Sequence, residues 1–177
     1  MDGSIWSRRP DVRASVTAVP YKSGLFDLVT SFDVIYSLAE RDESTAVQEM
    51  FRLLKPGGSA IINVAAMPSL TGDHSVLSRE LRRYTTASLR QLLERHGFEV
   101  VRLTYTNATL FIPMWLVRAF HRWRGLSTES DAHQEIAVPP APVNTALTAM
   151  LWLESRWVRA IDNPFGSSLL CVARKPD

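Results

Sequence analysis

Two aspartates, six positions apart, flank a strand-like run in the segment "FDLVTSFDV", which spans Phe26 to Val34. Ligands of open α/β sheets bind beyond the carboxyl ends of the strands. Asp33 follows the run and lies at that end, either as a ligand-facing carboxylate or as a cap or turn residue. Asp27 begins the run, about 20 Å away at roughly 3.3 Å per residue. We expect Asp27 to be structural and hydrogen-bonded to the preceding "AVPY" loop.

A second group of side chains capable of chemistry lies in "RELRRYT". Arginine binds carboxylates through paired hydrogen bonds, so Arg82 and Arg83, with Tyr84, could hold an acidic substrate group. The structural alternative is that Arg83 pairs with an acid inside the protein while Tyr84 fills the core. Asp73 and His74 lie just before this group. They could act as an acid–base pair, or the histidine could simply be exposed.

Alternating strands and helices must position these residues. Apolar residues at helical spacing between Val47 and Leu54 predict a helix that Asp42 or Ser44 caps and that the "LKPGG" turn ends. Three further helices are predicted at 86–96, 107–124 and 144–161, and strands at 12–16, 26–32, 59–64, 98–105 and 167–174. This order predicts an α/β fold with a mostly parallel sheet.

Several residues between these elements have predicted roles of their own. Gly97 is expected to end the second helix in a left-handed conformation, with Phe98 folding back onto Leu93. Asn107 is expected to cap the third helix. Glu154 lies in an apolar stripe and is expected to pair with Arg156, Arg159 or another cation. The stretches 65–85 and 125–142 are predicted to be long loops.

Composition excludes several functional classes. The chain has 177 residues, 46% of them hydrophobic, and a net charge of +2, which argues against a nucleic-acid partner. Cys171 is the single cysteine, so no intrachain disulfide can form, and we expect it in the core of a strand. The most apolar run, Leu110–Val117, is far shorter than the roughly 20 residues that cross a bilayer. The N-terminus lacks the apolar segment of a signal peptide, so a cytoplasmic location is expected.

Three segments together carry a family resemblance: "ASVTAVPYKSGLFDLVTSFDVIYSL", "FRLLKPGGSAIINV" and "LRRYTTASLRQLLERHGFEVV". They resemble the class I S-adenosylmethionine-dependent methyltransferases, and in particular the small-molecule group that includes ubiquinone/menaquinone-biosynthesis-like enzymes. The resemblance implies a Rossmann-like α/β sheet whose third to seventh strands are present here, with the seventh antiparallel. It also implies S-adenosylmethionine as cofactor and a small-molecule methyl acceptor.

Carried onto this sequence, the resemblance assigns site residues but no catalytic group and no metal. Val16 would pack against the adenine ring, while Ser15 stands at or near the place where the family often has an aspartate. Ser37 stands where the family often has a histidine, which puts a general base there in doubt. The predicted cofactor-binding residues are Ser15, Val16, Ser31, Phe32 and Asp33, and the predicted substrate-binding residues are Tyr36, His74, Arg83 and Tyr84.

Part of the family pattern is missing from this sequence. No two of its glycines form the Gly-x-Gly spacing of the family's cofactor loop, and only 11 residues precede the expected third strand at Val12. A βαβ unit takes about 30 residues, so we expect a single N-terminally truncated domain over 1–177, with a helical insertion at 106–165. The strand 26–32 would then be an exposed edge, prone to self-association or to pairing with a complementing chain. The alternative function is a non-catalytic remnant or partner subunit that binds protein or a hydrophobic ligand.

Overall fold

The computed structural model describes residues 13–67, 81–111 and 140–177. Its four strands form one sheet in the order β1-β2-β4-β3, where β1 is Phe26–Phe32, β2 is Leu54–Ala65, β3 is Glu99–Thr106 and β4 is Ser168–Arg174. β1 and β2 are parallel, while β4 runs antiparallel to both β2 and β3. The partial Rossmann-like sheet with an antiparallel last strand is therefore confirmed.

Within the described ranges, three helices of ten or more residues accompany the sheet: α1 at Glu40–Leu53, α2 at Thr86–Arg95 and α3 at Ala141–Trp157. A short 3-10 helix, Ile35–Ser37, joins β1 to α1. In the part of the chain that is described, no helix is long and apolar enough to span a membrane. The helices predicted at 86–96 and 144–161 are confirmed with small shifts of their ends, and residues 112–124 of the third lie outside the described residues.

The core lies on the sheet face that α1 and α2 cover. Side chains alternate along a strand, so Ile62 of β2 and its paired residue Cys171 of β4 point to this face, and both are fully buried. They join one cluster with Val47 of α1 and with Leu89 and Leu93 of α2. Burial raises the pKa of the Cys171 thiol to about 12, so this cysteine behaves as a small apolar residue, as predicted.

The start of α1 differs from the prediction. The N-cap residue is Ala39, whose side chain makes no capping bond, so the predicted caps at Asp42 and Ser44 are wrong. Glu40, Asp42 and Glu43 instead bring negative charge to the first turn, where the helix dipole favours it. The hydroxyl of Ser44 lies 2.9 Å from Nε2 of His96, which is the C-cap residue of α2.

The "LKPGG" segment belongs to β2 and does not separate it from α1. The helix ends at Leu53 and the strand begins at once, and residues 55–58 bulge between the pairs Phe26–Leu54 and Leu28–Ser59. Gly57 has φ +73°, the left-handed conformation that the predicted turn requires. The bulge therefore lies within the strand, at the start of its ladder with β1.

The boundaries of α2 follow the sequence signals. Thr85 and Ser88 form a reciprocal capping box at its start. At its end Gly97 has φ +89°, and the backbone N–H of Phe98 donates to the carbonyl of Leu93 at 3.2 Å, the pattern of a Schellman motif. The rings of Phe98 and of Phe51 in α1 pack edge-to-face, with their centroids 5.1 Å apart. This contact connects the end of α2 to α1.

The strand predicted at 12–16 is not formed. Of these residues 13–16 are described, and Ser15 makes only an isolated bridge with Ala18 across a tight turn. A strand needs a neighbour to satisfy its backbone groups, and the described sheet offers this segment none. The chain is held to α1 just after this segment, at Val19. The N–H of Val19 donates to the carboxylate of Glu49, and the guanidinium of Arg52 donates to the Val19 carbonyl.

Glu154 has a different role from the predicted ion pair. Its buried carboxylate accepts hydrogen bonds from the backbone N–H groups of Ala108 and Thr109 at 2.9 and 3.0 Å, and from the Thr109 hydroxyl at 2.6 Å. It therefore caps the helical turn at 108–111. The predicted cap, Asn107, has φ +59° and donates its side-chain amide to Ser168. No cation is needed, because the N–H groups of a helix start satisfy a carboxylate.

This capping role predicts a pH dependence of stability. Burial raises the pKa of Glu154, but the hydrogen bonds from Thr109 and Ala108 outweigh it and hold the pKa below 4.5. The contribution is present above pH 4.5 and is lost as the pH falls through the folded-state pKa. We expect Glu154→Gln to lose about 1–2 kcal/mol of unfolding free energy at pH 7. Urea titrations should show that the difference in unfolding free energy between the unchanged protein and Glu154→Gln becomes smaller below pH 4.5. The control is Glu99→Gln, at an exposed position, which should leave the unfolding free energy unchanged.

Candidate functional site

The carboxyl end of β1 presents the carboxylate that the sequence predicted. Asp33 directly follows the strand with φ +57°, a conformation that few residues other than glycine, asparagine and aspartate adopt readily. Its N–H donates to the carbonyl of Asn63 at 3.1 Å, and the Asn63 amide donates back to Asp33 Oδ1 at 3.1 Å. The carboxylate is thus oriented by the neighbouring strand while it stays open to solvent.

Asn63 is a candidate site residue that the sequence did not single out. It lies near the carboxyl end of β2, paired with Phe32. The available signal was a lone amide in the otherwise apolar "AIINVAA". An amide at that position can orient a carboxylate on the adjacent strand, and this makes Asp33 and Asn63 one unit.

Asp27 lies at the opposite end of β1, as predicted, but with another partner. Nζ of Lys55 binds both of its carboxylate oxygens, at 2.8 and 2.9 Å, and this hydrogen bonding lowers the pKa of Asp27. The predicted bond to the "AVPY" loop is therefore replaced by an ion pair across the β2 bulge. The pair is exposed, so its contribution to stability is small.

The other predicted residues of this region lie next to Asp33 in the sequence, at the end of β1 and in the 3-10 helix that follows it. Phe32 is 54% exposed at the end of the strand, and Ser31 before it is half-buried. The hydroxyl of Ser37 donates to the Val34 carbonyl at 2.7 Å and so closes its own turn. The carbonyl of Tyr36 accepts from the N–H of Leu81, which fixes the start of the "LRRYT" segment against the 3-10 helix.

The "LRRYT" segment contains a buried acid network. The hydroxyl of Tyr84 and the guanidinium of Arg82 both donate to the carboxylate of Glu43. Burial raises the pKa of Glu43, and the charge of Arg82 opposes that shift. Arg82 also donates to the carbonyl of Leu38 at 3.1 Å. An internal acid is thus present, and Arg82 binds it. The pairing of Arg83 with an internal acid stays a prediction.

Arg83 faces the carboxyl end of β2. Its guanidinium donates to the carbonyl of Ala66 at 3.0 Å. Beside it a shallow concavity of about 250 Å³ opens between α1 and α2. Its lining combines polar and apolar surface and consists of Glu43, Arg82, Arg83, Tyr84, Ser88, Gln91, Leu92 and Arg95. The concavity is an open surface groove and not the enclosed cleft of a typical small-molecule pocket.

The remaining predicted residues are Ser15, Val16 and His74. Ser15 and Val16 are in the exposed turn closed by the Ser15–Ala18 bridge, which leads into the Val19 contact with α1. His74 and Asp73 fall outside the described residues. Within the described ranges, no group of three or more acidic, histidine or cysteine side chains could hold a metal ion. The candidate site is therefore centred on Asp33 and Asn63.

Comparisons with known proteins add a family match over part of the chain. A family model described as a methyltransferase domain matches residues 5–62. This range contains β1, α1, Asp33 and most of β2. No curated protein matches the chain.

Solved structures match nearly the whole chain in fold. A Haloferax volcanii complex of the Trm112 methyltransferase activator with a methyltransferase has a TM-score of 0.54 at 18% identity, covering 93% of this chain and 60% of that one. A Bacillus halodurans protein named as a methyltransferase has a TM-score of 0.53 at 15% identity, covering 94% and 78%. A [4+2]-cyclase has a TM-score of 0.52 at 19% identity, covering 92% and 54%.

These likenesses show the fold. This chain spans 54% and 60% of the lengths of the cyclase and of the Haloferax volcanii chain. The cyclase also illustrates that one fold can serve more than one reaction, so the function has to be argued from the site.

Proposed function

Since the chain resembles the class I S-adenosylmethionine-dependent methyltransferases in sequence and in fold, we propose that it takes part in methyl transfer from S-adenosylmethionine to a small molecule. The observation that carries this proposal is the carboxyl end of β1. Asp33 lies there within the matched range, and Asn63 orients its carboxylate. Ligands of open α/β sheets bind at this end. The subgroup similar to ubiquinone/menaquinone-biosynthesis enzymes stays a prediction.

The described residues fit one part of the cofactor. An oriented and exposed carboxylate accepts hydrogen bonds from ammonium or hydroxyl groups, both of which S-adenosylmethionine carries. The exposed ring of Phe32 beside it offers an apolar contact. The cofactor supplies the reactive methyl group, and the protein's task is to hold it and the acceptor in line. No side chain needs to act as an acid or base, and none is assigned that role.

The other predicted contacts remain proposals. Ser15 and Val16 would meet the adenosine portion, and Ser31 would line the cofactor site. Contacts to the methyl acceptor would come from Tyr36, His74, Arg83 and Tyr84. The Tyr84 hydroxyl binds Glu43, so Tyr84 would contribute through the shape of the site. A cytoplasmic location also stays a proposal.

A second candidate is a partner subunit without catalytic activity. It is favoured by one observation, that no two glycines of this sequence have the Gly-x-Gly spacing of the family's cofactor loop. Such a subunit would keep the sheet and would bind a protein or a hydrophobic ligand. Binding of the cofactor product distinguishes the two candidates.

Calorimetric titration of the full chain with S-adenosylhomocysteine tests the proposal. We expect saturable binding that Asp33→Asn weakens by about tenfold, which corresponds to about 1.4 kcal/mol. The matched control is Asp27→Asn, at the other end of the same strand, which should leave the affinity unchanged. No binding at millimolar ligand supports the non-catalytic subunit. Equal losses in both variants would contradict the assignment of Asp33.

A further inference from the structure

One side of α3 is a stripe of exposed apolar side chains. Residues that are seven, ten and fourteen positions apart lie on the same side of a helix. This apolar stripe consists of Val143, Met150, Leu153 and Trp157, which are between 37% and 61% exposed. It is about 21 Å long at 1.5 Å per residue. A continuous apolar patch on the surface of a folded protein usually marks a binding surface.

The contacts of the neighbouring side of α3 hold the apolar stripe outward. Glu154 on that side is buried, and its carboxylate binds the N–H groups of Ala108 and Thr109 directly after β3. Leu151 and Val158, about one turn before and after it, are half-buried. These contacts fix the rotation of α3 about its own axis. The apolar stripe is therefore a convex ridge on the outside of the protein.

The exposed charges beside the apolar stripe are positive. Arg156 and Arg159 are both exposed, and the guanidinium of Arg156 lies over the ring of Trp152, 4.8 Å from its centroid. The one acidic residue of α3 is the buried Glu154. In the sequence, residues 107–125 add three arginines and no acidic residue. We therefore expect the partner of α3 to combine an apolar region with negative charge.

We propose that α3 lies on the surface of a membrane that contains anionic lipids, with the apolar stripe in the lipid and the arginines at the phosphate groups. Helices in a membrane interface combine leucine and tryptophan on the buried side with basic residues on the polar side. Tryptophan prefers the headgroup level, and Trp152 and Trp157 lie on either side of Leu153 in the sequence. A convex ridge needs a matching groove in a protein partner, whereas a fluid bilayer accepts it without one. The contact uses no residue of the candidate site, so it does not depend on methyl transfer.

Flotation of the full chain with lipid vesicles tests this proposal. We expect binding to vesicles of phosphatidylglycerol and phosphatidylcholine in equal parts, and weaker binding to vesicles of phosphatidylcholine alone. Leu153→Gln should weaken binding to the mixed vesicles by about tenfold, because it removes apolar burial. Arg156→Gln should weaken it by about fivefold, the usual effect of one basic residue near an anionic surface.

The matched control for Leu153→Gln is Leu28→Gln. Leu28 is 50% exposed and lies on β1, at the far edge of the sheet from the β3 end that holds α3. This variant should bind the mixed vesicles as the unchanged protein does. The proposal is overturned if the unchanged protein does not float with the mixed vesicles. Equal losses in Leu28→Gln and Leu153→Gln would also overturn it.

A fluorescent label tests which side of α3 meets the lipid. Leu153→Cys places a thiol in the apolar stripe, and Ser155→Cys places one at an exposed position on another side of the same helix. The buried Cys171 is expected to stay unlabelled. With an environment-sensitive label such as nitrobenzoxadiazole, the mixed vesicles should shift the emission of Leu153→Cys to the blue and leave that of Ser155→Cys unchanged. Equal shifts in both variants, or none in Leu153→Cys, would contradict the proposed orientation.

Sedimentation velocity without lipid tests the other possible occupant, a second copy of the chain. We expect Leu153→Gln to leave the association state unchanged. An oligomer that Leu153→Gln dissociates would show that a second copy covers the apolar stripe, and this would overturn the choice of a membrane.

Discussion

Replacing Glu43 by alanine is expected to lower the free energy of unfolding by about 3 kcal/mol. Glu43 is 6% exposed, and its carboxylate receives the Tyr84 hydroxyl and the Arg82 guanidinium. Removing one partner of a buried ion pair leaves the other charge poorly compensated, which costs about 3–5 kcal/mol in fully buried cases. Arg82 keeps some solvent contact and its bond to Leu38, so we place the loss at the lower end of that range.

Urea unfolding followed by circular dichroism measures this loss. Glu40→Ala, an exposed change in the same first turn of α1, is the control and should cost less than about 0.5 kcal/mol. Glu43→Gln keeps an acceptor for Tyr84 and should fall between the two. A loss in Glu43→Ala no larger than that in Glu40→Ala would show that the network does not stabilise the fold.

Gly166→Ala is expected to have an effect of similar size for a different reason. A Cβ atom at position 166 would lie 2.3 Å from the carbonyl oxygen of Thr106, which is backbone and cannot rotate away. Gly166 comes just before β4, and Thr106 ends β3. The two strands would have to separate at this end, so we expect a loss of about 3 kcal/mol, the cost of overpacking a tight site.

Gly24→Ala provides the matched control for this prediction. Gly24 has φ +66°, but a Cβ there would meet no atom within 4 Å. Only the backbone strain of about 1 kcal/mol is expected. Thermal unfolding of both variants separates the two costs. A loss in Gly24→Ala that equals the loss in Gly166→Ala would mean that the clash with Thr106 is relieved without opening the sheet.

The elements of the fold were predictable where the signal is local. Apolar spacing located α1 and α2, and Gly97 with Phe98 defined the end of α2, because helix faces and caps are determined by neighbours in sequence. The prediction of a strand at 12–16 was wrong because a strand exists only with a partner, and a β-rich composition does not supply one. The prediction of an ion pair for Glu154 was wrong because its partners, Ala108 and Thr109, lie about 45 positions away in the sequence.

The candidate site was predictable only in part. The position of Asp33 followed from strand direction alone, since the carboxyl end of a parallel strand is the ligand end. The role of Asn63 required the β1–β2 register, which the sequence does not state. The same holds for Arg82: a row of two arginines does not show which of them turns toward Glu43.

The position of β4 also governs the order in which this protein can fold. The last strand in sequence lies between β2 and β3, and Ser59 pairs with Arg174 across most of the chain. While the chain is being synthesised, β2 and β3 leave the ribosome before the strand that joins them. Their facing edges stay unpaired until β4 arrives, a long-range closure that slows folding and prolongs exposure to aggregation. A chain whose synthesis stops before Ser168 would contain α1 and α2 but would lack β4, the strand that joins β2 to β3 in one sheet.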